Sequence, residues 1–159
     1  MRTAIIFILG LALGVAATTK SQGTKIGGIN GVNHIGLSVD NFDDSVAFYE
    51  QKMGFHEADR IRNDKGETTL VFVQVSRDTF LELSPSNANR PAGLTHFGVN
   101  VDNAAAAAAA LRERGITVAD PRNVGTQWTI ASVTAPSARI ELTELGPESS
   151  LGRATSGWK

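Results

Sequence analysis

The chain has 159 residues, of which 42% are hydrophobic and 19% charged, with a formal net charge of −1 and no cysteine. That length suits one domain, or two small units sharing a core, and the charge provides no basic field to track a phosphate backbone, so nucleic acid is not an expected partner. Without cysteine there is no disulfide scaffold, thiolate-ligated zinc, iron–sulfur cluster or cysteine nucleophile, and a bound metal must rely on carboxylates, carbonyls, water and the histidines His34, His56 and His96.

The N-terminus reads as an address. Met1-Arg2-Thr3 is short and positive, and Ala4 to Ala17 (AIIFILGLALGVAA) is almost wholly apolar. Val15 and Ala17 are small residues at the positions a signal peptidase reads. Residues 1–17 are therefore expected to be a secretory signal peptide and the protein to be exported, periplasmic or secreted. The apolar run falls short of the roughly 20 residues of a spanning helix, so the mature form is expected to have no membrane span; an uncleaved anchor is the alternative. Residues 18–29 are polar and glycine-rich and read as a flexible lead-in.

Residues 30–145 are one unit written twice. GVNHIGLSVDN at 31–41 matches GLTHFGVNVDN at 93–103, pairing His34 with His96, Gly36 with Gly98 and Asp40-Asn41 with Asp102-Asn103. Each segment alternates as a strand does. A helix is expected after each, at roughly 43–53 and 104–114, with Asp40 or Asn41 and Asp102 or Asn103 as N-caps and Gly54 and Gly115 as C-terminal stops. The second helix opens with the alanine run Ala104 to Ala110, which favours helix and allows close approach to a sheet. VFVQVSRDTFLEL at 71–83 then aligns with IASVTAPSARIEL at 130–142 as a closing hairpin. Repeat one is 30–84, a turn-rich linker covers 85–92 and repeat two is 93–145. The expected fold is α+β: two β-α-β-β-β repeats forming a curved half-barrel sheet, helices outside and a cup inside.

Period-2 parity selects the cup-facing residues. Ile35, Leu37 and Val39 cover the helix, so His34 faces the cup; the same reasoning turns Glu82, His96 and Glu141 inward. Two imidazoles and two carboxylates from four strands suit a divalent metal. Glu144 has the opposite parity and is a poor second choice, and His56 has no counterpart in the other repeat and reads as solvated. An even-length turn in each hairpin adds Val73, Phe80, Ser132 and Trp128 to the cup lining. Arg139 shares the face of Glu141 and is read either as a substrate-carboxylate group or as a salt-bridge partner.

Repeats carrying His34, Glu82, His96 and Glu141 resemble the vicinal oxygen chelate superfamily, which includes glyoxalase I, fosfomycin-resistance proteins, methylmalonyl-CoA epimerase, extradiol dioxygenases and bleomycin-binding proteins. The four ligand positions are most similar to bacterial glyoxalase I, and THFGVNVDNAA and IELTE look like that branch. Methylmalonyl-CoA epimerases usually place Gln where Glu82 stands. The turn before Glu141, Ala135-Pro136-Ser137-Ala138, departs from the family's usual Asp-Pro-Asp-Gly, and no cationic pair for glutathione carboxylates is evident. The resemblance implies one divalent ion (nickel, cobalt, zinc, manganese or iron) and a small substrate with vicinal oxygens. It implies glyoxalase-like lyase or isomerase chemistry through a metal-stabilised enediolate, with Glu141 as first choice of base and Glu82 second. A non-catalytic small-molecule binding protein and an iron-dependent extradiol-type dioxygenase are the alternatives. A homodimer is a further expectation. Gly146 to Lys159 is polar and rich in Ser and Gly, and is expected to be a flexible tail or to lie across a partner, with Trp158 as its apolar anchor.

Overall fold

The computed structural model describes Ile26, residues 28–124 and residues 128–159. The leader at 1–17 and most of the lead-in lie outside the described residues. Each repeat is β-α-β-β-β: β1 (Ile29–Val39), α1 (Phe42–Ala47), β2 (His56–Arg62), β3 (Thr68–Ser76) and β4 (Thr79–Pro85), then β5 (Gly93–Val101), α2 (Ala104–Glu113), β6 (Arg122–Val124), β7 (Trp128–Thr134) and β8 (Arg139–Leu145). All eight strands join one mixed sheet in the order β2-β3-β4-β1-β5-β8-β7-β6. Within each repeat the first and last strands run parallel, β1 with β4 and β5 with β8; the repeats meet where β1 and β5 pair antiparallel. This is the expected half-barrel. No helix among the described residues is long and apolar enough to cross a membrane.

The helices cover the convex face, and each repeat builds its own core there. Val46, Val71, Val73 and Leu83 pack with Leu37, Phe42, Tyr49, Phe55 and Leu81 in repeat one. In repeat two, Ala104, Ala107, Ala108 and Leu111 form a stripe at helical spacing against Val101, Ala131, Val133 and Leu142. Asn103 caps α2 by accepting from the Ala106 N–H at 2.7 Å, as its residue type suggests. Glu144, whose parity turns it away from the cup, accepts from the Ala104 N–H at 2.8 Å and places its charge at the same positive helix end. Asn41 precedes α1 but makes no side-chain cap bond, and α1 continues as a π-helical turn over Phe48–Lys52. Gly54 and Gly115 follow the helical segments with φ of 72° and 77°, a left-handed stop that a Cβ disfavours.

The concave face departs from expectation in two places. Ser76 pairs with Thr79, as an even-length turn requires, but a bulge at Val75 shifts the register so that Phe72, not Val73, stands opposite Glu82. Val73 therefore belongs to the convex core of repeat one and does not line the cup. The other hairpin keeps the expected register, with Ser132 opposite Glu141 and Trp128 opposite Leu145. The tail is also different. Ser150–Gly157 is a helix, α3, capped by Ser149, whose Oγ accepts from the Gly152 N–H. Its anchor is Leu151, 1% exposed among Phe72, Phe80 and Trp128, whereas Trp158 is 40% exposed.

Candidate metal centre

Two adjacent rows across the sheet carry the site. In one, Phe80, His34, Gly98 and Glu141 are neighbours on β4, β1, β5 and β8; in the next, Glu82, Gly36, His96 and Arg139 occupy the same four strands. Each histidine thus has the other repeat's glycine beside it. A Cβ on Gly98 would lie 2.3 Å from the His34 ring, and one on Gly36 would lie 2.3 Å from the His96 ring. The missing side chains make the space in which each ring crosses its neighbouring strand toward the carboxylate beyond. His34 Nε2 reaches Glu141 Oε2 at 3.5 Å, and His96 Nε2 reaches Glu82 Oε2 at 3.4 Å. The cross distances close the group: 3.7 Å from His34 to Glu82 and 3.8 Å from His96 to Glu141.

The ring orientations are held from behind. A bulge at Asn33 in β1 brings its side chain to His34, with Asn33 Oδ1 2.7 Å from His34 Nδ1. Asn33 Nδ2 donates to Asn100 Oδ1 at 2.9 Å, which leaves the Asn33 oxygen as an acceptor for the ring N–H. On the other side, the Thr95 hydroxyl donates to the Gly36 carbonyl at 3.0 Å and therefore accepts from His96 Nδ1 at 2.8 Å. Both Nδ1 atoms carry protons in this network, so both Nε2 atoms present lone pairs. Those lone pairs face each other at 3.0 Å. Two such atoms repel unless a proton or a metal ion lies between them, and two carboxylate oxygens complete a donor set that suits a divalent ion. The residues present therefore fit a metal. His34, His96 and Glu141 are all buried and offer ligand atoms within 4.8 Å of one another; Glu82 joins them from a more open position, 16% exposed.

The two carboxylates have different environments. Burial pushes the Glu141 pKa up, but the Arg139 guanidinium, together with His34 and His96 in their protonated forms, outweighs it and holds the group below the ordinary carboxylate value. Arg139 takes the second Glu141 oxygen in an ion pair, so the salt-bridge reading of this residue is the one observed. Among the described residues Glu82 has ion-pair distances only to the two histidines. Phe80 lies beside His34, and Ser132 lies opposite Glu141. Trp128 meets the ring of Phe72, which sits edge-on to His34 at 6.1 Å. His56 is exposed and far from this register.

Asn33, Thr95, Gly36, Gly98 and Phe72 carry much of this geometry, and none of them is among the site residues the sequence predicts. The glycines were visible as a repeated His-x-Gly pattern; the bulges that place Asn33 and Phe72 have no such signature.

Fold and cluster together define a duplicated half-barrel with a metal-competent floor. The chain belongs to the Glyoxalase/Bleomycin resistance protein/Dioxygenase superfamily, whose family profile matches residues 31–142. The methylmalonyl-CoA epimerase of Mycobacterium tuberculosis superposes with a TM-score of 0.66 at 19% identity, over 77% of this chain and 92% of that one. A single-residue variant of the Streptomyces coelicolor methylmalonyl-CoA epimerase, in complex with 2-nitronate-propionyl-CoA, gives 0.61 at 19%, over 74% and 99%. A hypothetical protein from Bacillus halodurans gives 0.62 at 17%, over 74% and 96%. At these identities the likeness is one of fold. Among curated proteins, none matches the chain.

Proposed function

We propose that this protein is a divalent-metal-dependent enzyme that moves a proton at a carbon beside a carbonyl, on a small substrate with two adjacent oxygens. This is lyase or isomerase chemistry of the glyoxalase type. The observation that carries the reading is the pair of Nε2 atoms facing each other at 3.0 Å between two carboxylates. His34, His96, Glu141 and Glu82 would hold the ion, which supplies positive charge to polarise the substrate oxygens.

The chain's own residues divide the remaining work. Glu141 is buried and tied to Arg139, which suits a fixed ligand. Glu82 is more exposed and has no arginine or lysine partner among the described residues, which suits a group that takes a proton from an entering C–H and returns it to a neighbouring carbon. This ranks Glu82 ahead of Glu141 as base, reversing the order the resemblance implies. Arg139 acts here as a positioning residue for Glu141. Asn33 and Thr95 hold the imidazoles in the tautomer that leaves Nε2 free.

Deuterium incorporation from heavy water into a panel of small 2-hydroxy ketones and 2-oxoaldehyde–thiol adducts tests the reading. The metal-loaded chain should exchange the α-proton of at least one compound. Glu82→Gln should cut that rate roughly 100-fold or more while metal is retained. Exchange in none of them, or exchange unaffected by Glu82→Gln, would sink the proposal.

A further inference from the structure

Part of the cup face beside the candidate ligands is already covered. Phe80 and Trp128, expected to line it, are buried together with Phe72 beneath Leu151 of α3. This plug begins one ring away from the candidate ligands, because Phe72 stands edge-on to His34 on one side and to Trp128 on the other. The helix also lies beyond residues 31–142, the segment that matches the family. A cavity of about 630 Å³ opens beside it, lined by Asn100 and Thr79 of the sheet and by Gly152 and Thr155 of α3, but it touches none of the four candidate ligands.

The construction of α3 is weak. Its eight residues, SLGRATSG, include two glycines, two serines and a threonine, all poor helix formers, in an element too short to be helical alone. It is held by Leu151 and Ala154 against the aromatic floor, and by the Ser150 hydroxyl donating to Asp59 Oδ2 at 2.5 Å on β2. Against this, the Thr155 Oγ1 is buried with no hydrogen-bond partner, a cost present only while the helix is seated. The turn leading into the helix is also tight, since a Cβ on Gly152 would lie 2.3 Å from the Gly146 carbonyl oxygen.

We infer that α3 is a built-in lid: it covers the aromatic floor beside the candidate ligands at rest and swings away as a unit to widen access to them. This rests on the metal-site reading for its purpose, and concerns the regulation of access to that same site. A fixed wall would instead share the stability of the sheet it covers.

Hydrogen exchange on the full chain separates the two. A lid requires the amides of 150–157 to exchange by local opening, with protection about 100-fold or more below that of β1 and β5. Exchange of α3 only together with those strands would overturn it. A second arm uses the zinc-loaded chain and an excess of a bulky chromogenic chelator. Leu151→Asp, which unseats the anchor, and Gly152→Ala, which crowds the turn, should each speed zinc removal about tenfold or more while zinc affinity stays within a few-fold. Equal removal rates in all three proteins would refute the lid. A wild-type chain that takes up no zinc or other divalent ion refutes the metal reading instead, and the exchange pattern still decides whether α3 opens.

Discussion

At the scale of single residues, the centre depends on two atoms that are missing. Gly36 and Gly98 hold no metal and touch no substrate, yet each makes room for the other repeat's histidine ring. Gly98→Ala should push the His34 ring off its line to Glu141. The expected outcome is a loss of metal affinity of about tenfold or more, with a stability loss of about 1–3 kcal/mol from overpacking, read by titration and by urea unfolding of the metal-free chain. Asn33→Ala should leave the ring in place but free to turn, costing about 10- to 100-fold in metal affinity by the same titration. The ligand residues were legible because duplication and strand parity point to one face: His34 and His96 in matching positions, Glu82 and Glu141 two strands away. The glycine roles were not, because parity assigns a face to a side chain but does not say which ring lies over a neighbour without one.

At the scale of elements, the helices and most strands follow from local rules, and the exceptions are bulges and a weak helix. The alanine run forms α2 where propensity puts it, and Asn103 caps it with the bond its type favours. Asn103→Ala should therefore destabilise the chain by about 1 kcal/mol in urea unfolding, with metal affinity unchanged, because Glu144 still satisfies the Ala104 N–H. The bulge at Val75 exchanged Phe72 for Val73 in the cup, and one extra residue in a strand has no compositional mark. The tail shows the opposite failure. Its composition favours turn and loop, and tertiary contact through Leu151 overrides that preference. The leader expected at 1–17 lies outside the described residues, and export remains a proposal tested by N-terminal sequencing of the mature protein.

At the scale of the whole molecule, the duplication explains why the site closes within one chain. β1 and β5 pair at the centre of the sheet, so the two halves of the ligand set face each other across the β1–β5 junction. With all four on one sheet, metal binding should be independent of association. Titration of the chelator-stripped chain with nickel, cobalt and zinc, at two protein concentrations about 100-fold apart, tests the central claim most directly. The account predicts one divalent ion per chain at both concentrations, confirmed by elemental analysis. With free ion about 100 times the dissociation constant, it also predicts a rise in melting temperature of roughly 5–10 °C. His34→Gln combined with His96→Gln should abolish both. No uptake of any divalent ion, or equal uptake by the double variant, would contradict it.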